Sequence, residues 1–194
     1  MTPHKMRIQD SRMVWMDLEM TGLDPEKSRI IEMATLVTDS ELNIIEEGPS
    51  FIIHQPLEVL RAMDNWNRSQ HKKSGLIDAV KKSKMTVRRA ERETLAFLKK
   101  HCPPRSAPLC GNSIHHDRRF LAKYMPRIHR YLHYRMVDVS SVKDLVKRWY
   151  DPRIRPPVKK SGHRAMQDII ESIDELRFYR EHFFVPKEDL PHYV

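Results

Sequence analysis

Met13-Val-Trp-Met-Asp-Leu-Glu-Met-Thr-Gly-Leu-Asp24 places two carboxylates, Asp17 and Glu19, inside an apolar run that breaks at Thr21-Gly22. The apolar stretch Met13–Asp17 predicts a first strand. A strand's period of two turns both acids to one face and Leu18 to the other. Like charges held side by side at the end of a core strand repel each other, so a cation or a shared proton is needed between them. Hard divalent cations such as Mg²⁺ suit that oxygen-rich setting. Spacing alone decides little, because Asp24 and Glu26 repeat it in a Pro-containing loop, where it reads as solvated surface. What sets Asp17 and Glu19 apart is the apolar run around them.

Working outward, Arg29–Asp39 and Ile44–His54 carry the β-branched content of a second and third strand. From Leu57 the apolar spacing becomes helical, over Leu57–Met63, Gly75–Lys82 and Thr86–His101, with Thr86 as the N-cap of the last. Pro108–Asn112 predicts a short buried strand, and a helix should follow from about His116 to Tyr124, stopped by Pro126. Tyr134–Val139 fits another strand and Ser140–Trp149 a helix capped by Ser140 or Ser141. A basic, Pro-rich loop, Asp151–Gly162, precedes a long closing helix over Arg164–His182. Three early strands followed by alternating helices and strands predict an α/β domain, a mixed sheet covered by helices.

At 194 residues the chain suits one domain with a sizeable core. No stretch approaches the roughly 20 apolar residues of a membrane span, so no membrane partner is expected. The start, Met1-Thr-Pro-His-Lys-Met-Arg7, lacks an apolar signal core. Cys102 and Cys110 make neither a disulfide framework nor a zinc pattern, which predicts a reducing, intracellular compartment. A net charge of +9 points to a polyanionic partner. Local acids within such a basic protein would need metal to avoid repelling a phosphate chain. No phosphate-binding glycine loop appears among the five glycines. His129 and His133 lack a third ligand for zinc, and Lys72-Lys73, Lys81-Lys82 and Arg88-Arg89 read as solvated faces.

Three further residues draw attention together rather than singly. Asp117 opens a helix after Gly111-Asn-Ser-Ile-His-His116, where an Asp commonly serves as a cap. Asp168 lies in the second turn of the last helix, where an Asp is commonly solvated. His163 precedes it by five residues, which is not a same-face helical spacing and puts the histidine on the approach loop or first turn.

In order along the chain, these residues resemble the exonuclease superfamily that uses four acids and a histidine. The segments Asp17-Leu-Glu-Met-Thr-Gly-Leu-Asp24, Met63-Asp-Asn-Trp66, Gly111-Asn-Ser-Ile-His-His-Asp-Arg-Arg-Phe120, His133-Tyr-Arg135 and His163-Arg-Ala-Met-Gln-Asp168 resemble the oligoribonuclease family, in its eukaryotic branch. The resemblance runs from about Met13 to Phe183. One departure is visible: Gln167 stands where family members often have a second acid beside the metal-binding Asp.

The resemblance implies a ribonuclease H-like mixed sheet flanked by helices, with residues 1–12 an N-terminal extension, 13–184 the exonuclease domain and 185–194 a tail. It implies that Asp17, Glu19, Asp117 and Asp168 hold two Mg²⁺ or Mn²⁺ ions and that His163 is the general base. Leu23 and Trp66 would flank the bases, with His71 nearby, while Ser113, Arg135 and Ser140 would grip a terminal 5′-phosphate. Tyr134 would reach the active site of a second subunit, making the enzyme a homodimer. The expected activity is 3′→5′ hydrolysis of very short single-stranded RNA, especially dinucleotides, to nucleoside 5′-monophosphates, in mitochondria or cytoplasm. Two alternatives stay open: an exonuclease for longer DNA or RNA, and a catalytically silent nucleic-acid-binding module, against which the intact acids and His163 argue.

Overall fold

The computed structural model describes residues 12–151, 153–156, 164–186 and 189. Strands β1 (Met13–Met20), β2 (Ile30–Thr38), β3 (Ile44–Ile52), β4 (Leu109–Gly111) and β5 (Met136–Asp138) form one sheet in the order β3-β2-β1-β4-β5. β2 runs antiparallel to β1 and β3, whereas β4 pairs parallel with β1 and β5. The sheet is therefore mixed, and β1 is central. The α/β class expected from the sequence is the class observed.

Helices cover both faces, as parallel crossovers require. Even-numbered residues of β1 (Val14, Met16, Leu18) join a core with α4 (Val87–His101), α5 (His115–Tyr124) and α6 (Pro126–Tyr131). On the opposite face, Trp15 packs with Ala34, Leu36 and Cys110 against α7 (Val139–Trp149) and α8 (Ala165–Phe183). The indole N–H of Trp15 donates to Thr38 Oγ1 at 2.9 Å, so this large buried ring leaves no polar atom unmet. Asp17 and Glu19 continue the Trp15 side and so face the helix that carries Asp168.

The boundaries differ from expectation where local signals compete. β1 runs three residues further than Asp17, carrying both acids into the strand. α2 (Asn65–Lys73) escaped the apolar pattern because His71 is its one buried residue. Its start is set instead by Asp64, whose carboxylate accepts the Asn67 N–H at 2.8 Å. Pro126 ends α5 but also opens α6, since a proline at the first helical position loses no hydrogen bond. Asp138, rather than Ser140 or Ser141, caps α7. Thr86 caps α4 as expected. α1 (Leu57–Arg61) and α3 (Leu76–Lys82) close a smaller cluster over Ile31. Among the described residues, no helix is long and apolar enough to cross a membrane.

Gly111 ends β4 where the backbone passes close to β1. A Cβ there would lie 2.8 Å from Ile114 Cδ1 and 3.0 Å from the Met16 carbonyl oxygen, which cannot move without disturbing β1. Gly111→Ala should lower unfolding free energy by about 1–3 kcal/mol in urea titration. An unchanged midpoint would show that the β1–β4 contact relaxes freely.

Candidate active site

Three carboxylates converge at the end of β1. Ligating oxygens of Asp17, Glu19 and Asp168 all lie within 4.8 Å of one another, and each residue is half-buried. Asp17 and Glu19 come from one strand face, and Asp168 from the first turn of α8. Asp117 approaches from α5 and is buried. Its Oδ1 accepts the backbone N–H of Leu18 at 2.8 Å, tying α5 to β1 between the two acids.

This grouping is electrostatically strained. Burial, then the charges of Asp117, Glu19, Asp168 and Glu32, hold the Asp17 carboxyl well above the ordinary carboxylate range. Glu19 is pushed up to about 8, first by burial and then by Asp168, Glu32 and Asp117, while Arg164 pulls it down. Burial raises Asp117 to about 7 against the opposing effect of the Leu18 N–H. Acids in this condition take up protons or hard cations. The all-oxygen donor set, open to solvent on one side, fits divalent metal.

A fifth acid, missed in the sequence, stands behind them. Glu32 is buried on β2 directly across from Glu19 in register. Arg164 meets it with Nε 3.0 Å and a second guanidinium nitrogen 3.0 Å from Oε1. The pair joins β2 to the start of α8, four residues before Asp168. A glutamate, the one ionisable residue in the fully buried run Ile30–Thr38, was the available signal.

Beyond Glu19 the strand pairing shifts register and the chain turns through Thr21-Gly22. A Cβ on Gly22 would come 2.7 Å from Ser28 Oγ, so a larger residue there would turn the serine hydroxyl aside. His71 from α2 anchors the strand end: Nε2 donates to the Met20 carbonyl at 2.9 Å, and Nδ1 lies 3.9 Å from Glu19 Oε2. His71 is buried, so it fixes α2 against β1. Leu23 and Trp66 are exposed, 57% and 64%, as side chains offered to a flat ligand would be.

Ser113 and Ser140 are brought together. Ser113 adopts a left-handed backbone, φ 49°, uncommon for a residue with a side chain. Its N–H is held by Asp138 Oδ1 and Ser140 Oγ, each at 3.0 Å. The same Asp138 oxygen accepts the Ser140 N–H at 2.9 Å. Asp138 was also missed, although an Asp just before Ser140-Ser141 is an ordinary capping signal. Tyr134 and Arg135 project into solvent from the loop before β5, with the guanidinium 5.6 Å from the Tyr134 ring centre. His163 lies outside the described residues.

Comparison with known proteins accords with this arrangement. The family model described as Exonuclease (RNase T) matches residues 14–176. An oligoribonuclease from Acinetobacter baylyi is 54% identical over 178 residues, covering 91% of this chain and 97% of the relative. The mitochondrial oligoribonuclease of Homo sapiens is 55% identical over 179 residues, covering 92% of this chain and 76% of the relative. Among solved structures, the zinc-bound E. coli exonuclease I–single-stranded DNA complex matches with a TM-score of 0.66 at 17% identity. The match covers 89% of this chain and 41% of that one, so the chain spans about two-fifths of exonuclease I; it shows a shared fold, the ribonuclease H-like one. With matches of this extent in sequence and in the exonuclease model, the chain belongs to the oligoribonuclease family of exonucleases.

Proposed function

We propose that this chain removes nucleotides from the 3′ end of very short RNAs, dinucleotides above all, releasing nucleoside 5′-monophosphates. The observation that carries the reading is the carboxylate trio of Asp17, Glu19 and Asp168, flanked by buried Asp117 on the helix that follows Ser113, itself paired with Ser140. Asp17, Glu19, Asp117 and Asp168 would hold two divalent ions, Mg²⁺ or Mn²⁺, which when bound supply an activated water and stabilise charge on the leaving 3′-oxygen.

The chain's own groups do the rest. His163 takes a proton from the attacking water, a task suited to an imidazole whose ordinary pKa lies near neutrality. The Asp117–Leu18 hydrogen bond keeps the α5 acid at the strand end, and the Arg164–Glu32 pair keeps the start of α8 there. Leu23 and Trp66 hold the bases by stacking and apolar contact, worth roughly 1–3 kcal/mol per base without sequence preference. Ser113, Ser140 and Arg135 grip the 5′-phosphate, and a chain end gripped there leaves no path for a longer strand. Arg suits this role through paired hydrogen bonds to phosphate oxygens. His71, buried at the strand end, assists by fixing α2, which carries Trp66.

A second copy of the chain completes the site by contributing Tyr134. Support comes from Tyr134, Met136, Leu145 and Trp149, large side chains left exposed along the loop before β5, β5 itself and α7. A mitochondrial or cytoplasmic location fits two buried free thiols, Cys102 pushed up to about 11 by burial and Cys110 pushed up as well. The mitochondrial naming of the human and cow relatives also fits it.

The central test gives pure protein a labelled diribonucleotide and a longer RNA with Mg²⁺, Mn²⁺ or EDTA. The dinucleotide should be cleaved faster, EDTA should stop both reactions, and Asp168→Ala should be inactive while remaining folded by circular dichroism. His163→Ala should lose roughly 10²–10⁴-fold in kcat together with the acid limb of its pH–rate profile. Equal rates on both lengths would sink the short-substrate reading.

A further test uses stability. Because folding raises Glu19 from 4.5 to about 8, its favourable contribution is complete below about pH 4.5 and disappears as pH rises towards 8. Asp17 and Asp117 shift in the same direction. Mg²⁺ relieves the repulsion, so the melting-temperature gain on adding it should be larger near pH 8 than near pH 5.5. An equal or smaller gain at pH 8 would remove the acids as the binding site. Finally, dilution below the dimer dissociation range should abolish activity; full turnover by a monomer would exclude Tyr134 from a partner's site.

A further inference from the structure

The polar contacts between the end of β4 and α8 form one continuous chain. The Ser172 hydroxyl donates to the backbone carbonyl of Asp168 at 2.7 Å. The Asn112 amide nitrogen donates to Ser172 Oγ at 2.7 Å and lies 3.3 Å from Glu175 Oε2. Asn112 Oδ1 accepts the Ser140 hydroxyl at 3.0 Å, and Ser140 Oγ accepts the Ser113 N–H. Asn112 thus stands between the helix that carries Asp168 and the paired serines.

An amide can be turned either way round, and its surroundings decide which. Glu175 is buried, with Oε1 3.0 Å from Lys143 Nζ and accepting the Tyr179 hydroxyl at 3.0 Å. An ionised carboxylate only accepts, so the NH₂ side of Asn112 must face it. The amide oxygen then faces Ser140, whose single hydroxyl proton is committed to it. Ser140 Oγ is left as an acceptor towards Ser113, whose own oxygen lies 3.2 Å away. Ser113 therefore keeps a proton that can swing out to an incoming anion.

We infer that Asn112 is a positioning residue for recognition of the substrate's 5′-phosphate. By fixing the proton of Ser140 it makes Ser113 the hydroxyl donor to the terminal phosphate. Through Ser172 it also holds that donor in register with the backbone of Asp168. A buried carboxylate further along α8, Glu175, sets the direction of the whole chain. The inference rests on the reading above in which Ser113, Ser140 and Arg135 grip the phosphate.

The readout is the ratio of kcat/KM for a 5′-phosphorylated dinucleotide to that for its 5′-hydroxyl counterpart, which general destabilisation would leave unchanged. Ser113→Ala should lower the ratio roughly tenfold, the loss of one hydrogen bond to a charged group. Asn112→Ala should lower it to a similar extent, chiefly through KM of the phosphorylated substrate, and the double variant should lower it no further than either single one. Asn112→Leu preserves volume, offers Ser140 no acceptor, adds no charge and should also lower the ratio, so the test survives poor folding of the alanine variant. If Ser113→Ala lowers the ratio but both Asn112 variants keep the parental value, the role of Asn112 is overturned while the phosphate grip stands. If Ser113→Ala itself keeps the parental ratio, the phosphate grip fails and this inference fails with it.

Discussion

Repulsion among carboxylates at the end of β1 is the constraint around which the rest is arranged. Each of Asp17, Glu19 and Asp168 would be more comfortable in water, and Asp117 and Glu32 add to the load from behind. Holding them together requires elements rigid enough to resist splaying. The central strand supplies this, because β1 is paired on both edges and packed on both faces. The apolar core maintains a site that is unfavourable until a cation arrives, as functional sites often are.

The ties that keep the acids in place are polar and long-range. Asp117 holds the Leu18 N–H, and Arg164 neutralises Glu32 where an unpaired charge would otherwise be buried. Breaking such a buried pair from one side is costly, because it leaves the other charge stranded. Asp138 performs a comparable service on the other flank, with one oxygen holding both Ser113 and Ser140. The carboxylate cluster and the Ser113–Ser140 pair are therefore each braced by a neighbouring acid, Glu32 on one flank and Asp138 on the other.

Much of this was legible in the sequence, for reasons that can be named. Asp17 and Glu19 stood out because acids in an apolar strand are expensive. The β-branched runs of β2 and β3 marked themselves by composition. Asp117 and Asp168 did not: locally each looks like an ordinary helical Asp, and only their order along the chain with the other motifs drew them in. α2 was invisible because a nearly all-polar helix has no apolar stripe. The Arg164–Glu32 and Asn112–Glu175 contacts were illegible because their partners lie 132 and 63 residues apart, beyond any local pattern.

The position of α8 has a consequence for when the molecule acquires its chemistry. Its residues close contacts with β1 and β2 across most of the chain, as the 132-residue span from Glu32 to Arg164 illustrates. Such closures carry a larger loop-entropy cost than the local pairings of β1, β2 and β3, which favours their forming after those pairings. Asp168 reaches Asp17 and Glu19 only when that last helix docks. A chain still emerging from the ribosome therefore lacks Asp168 beside Asp17 and Glu19, and its acid cluster is incomplete until α8 has docked.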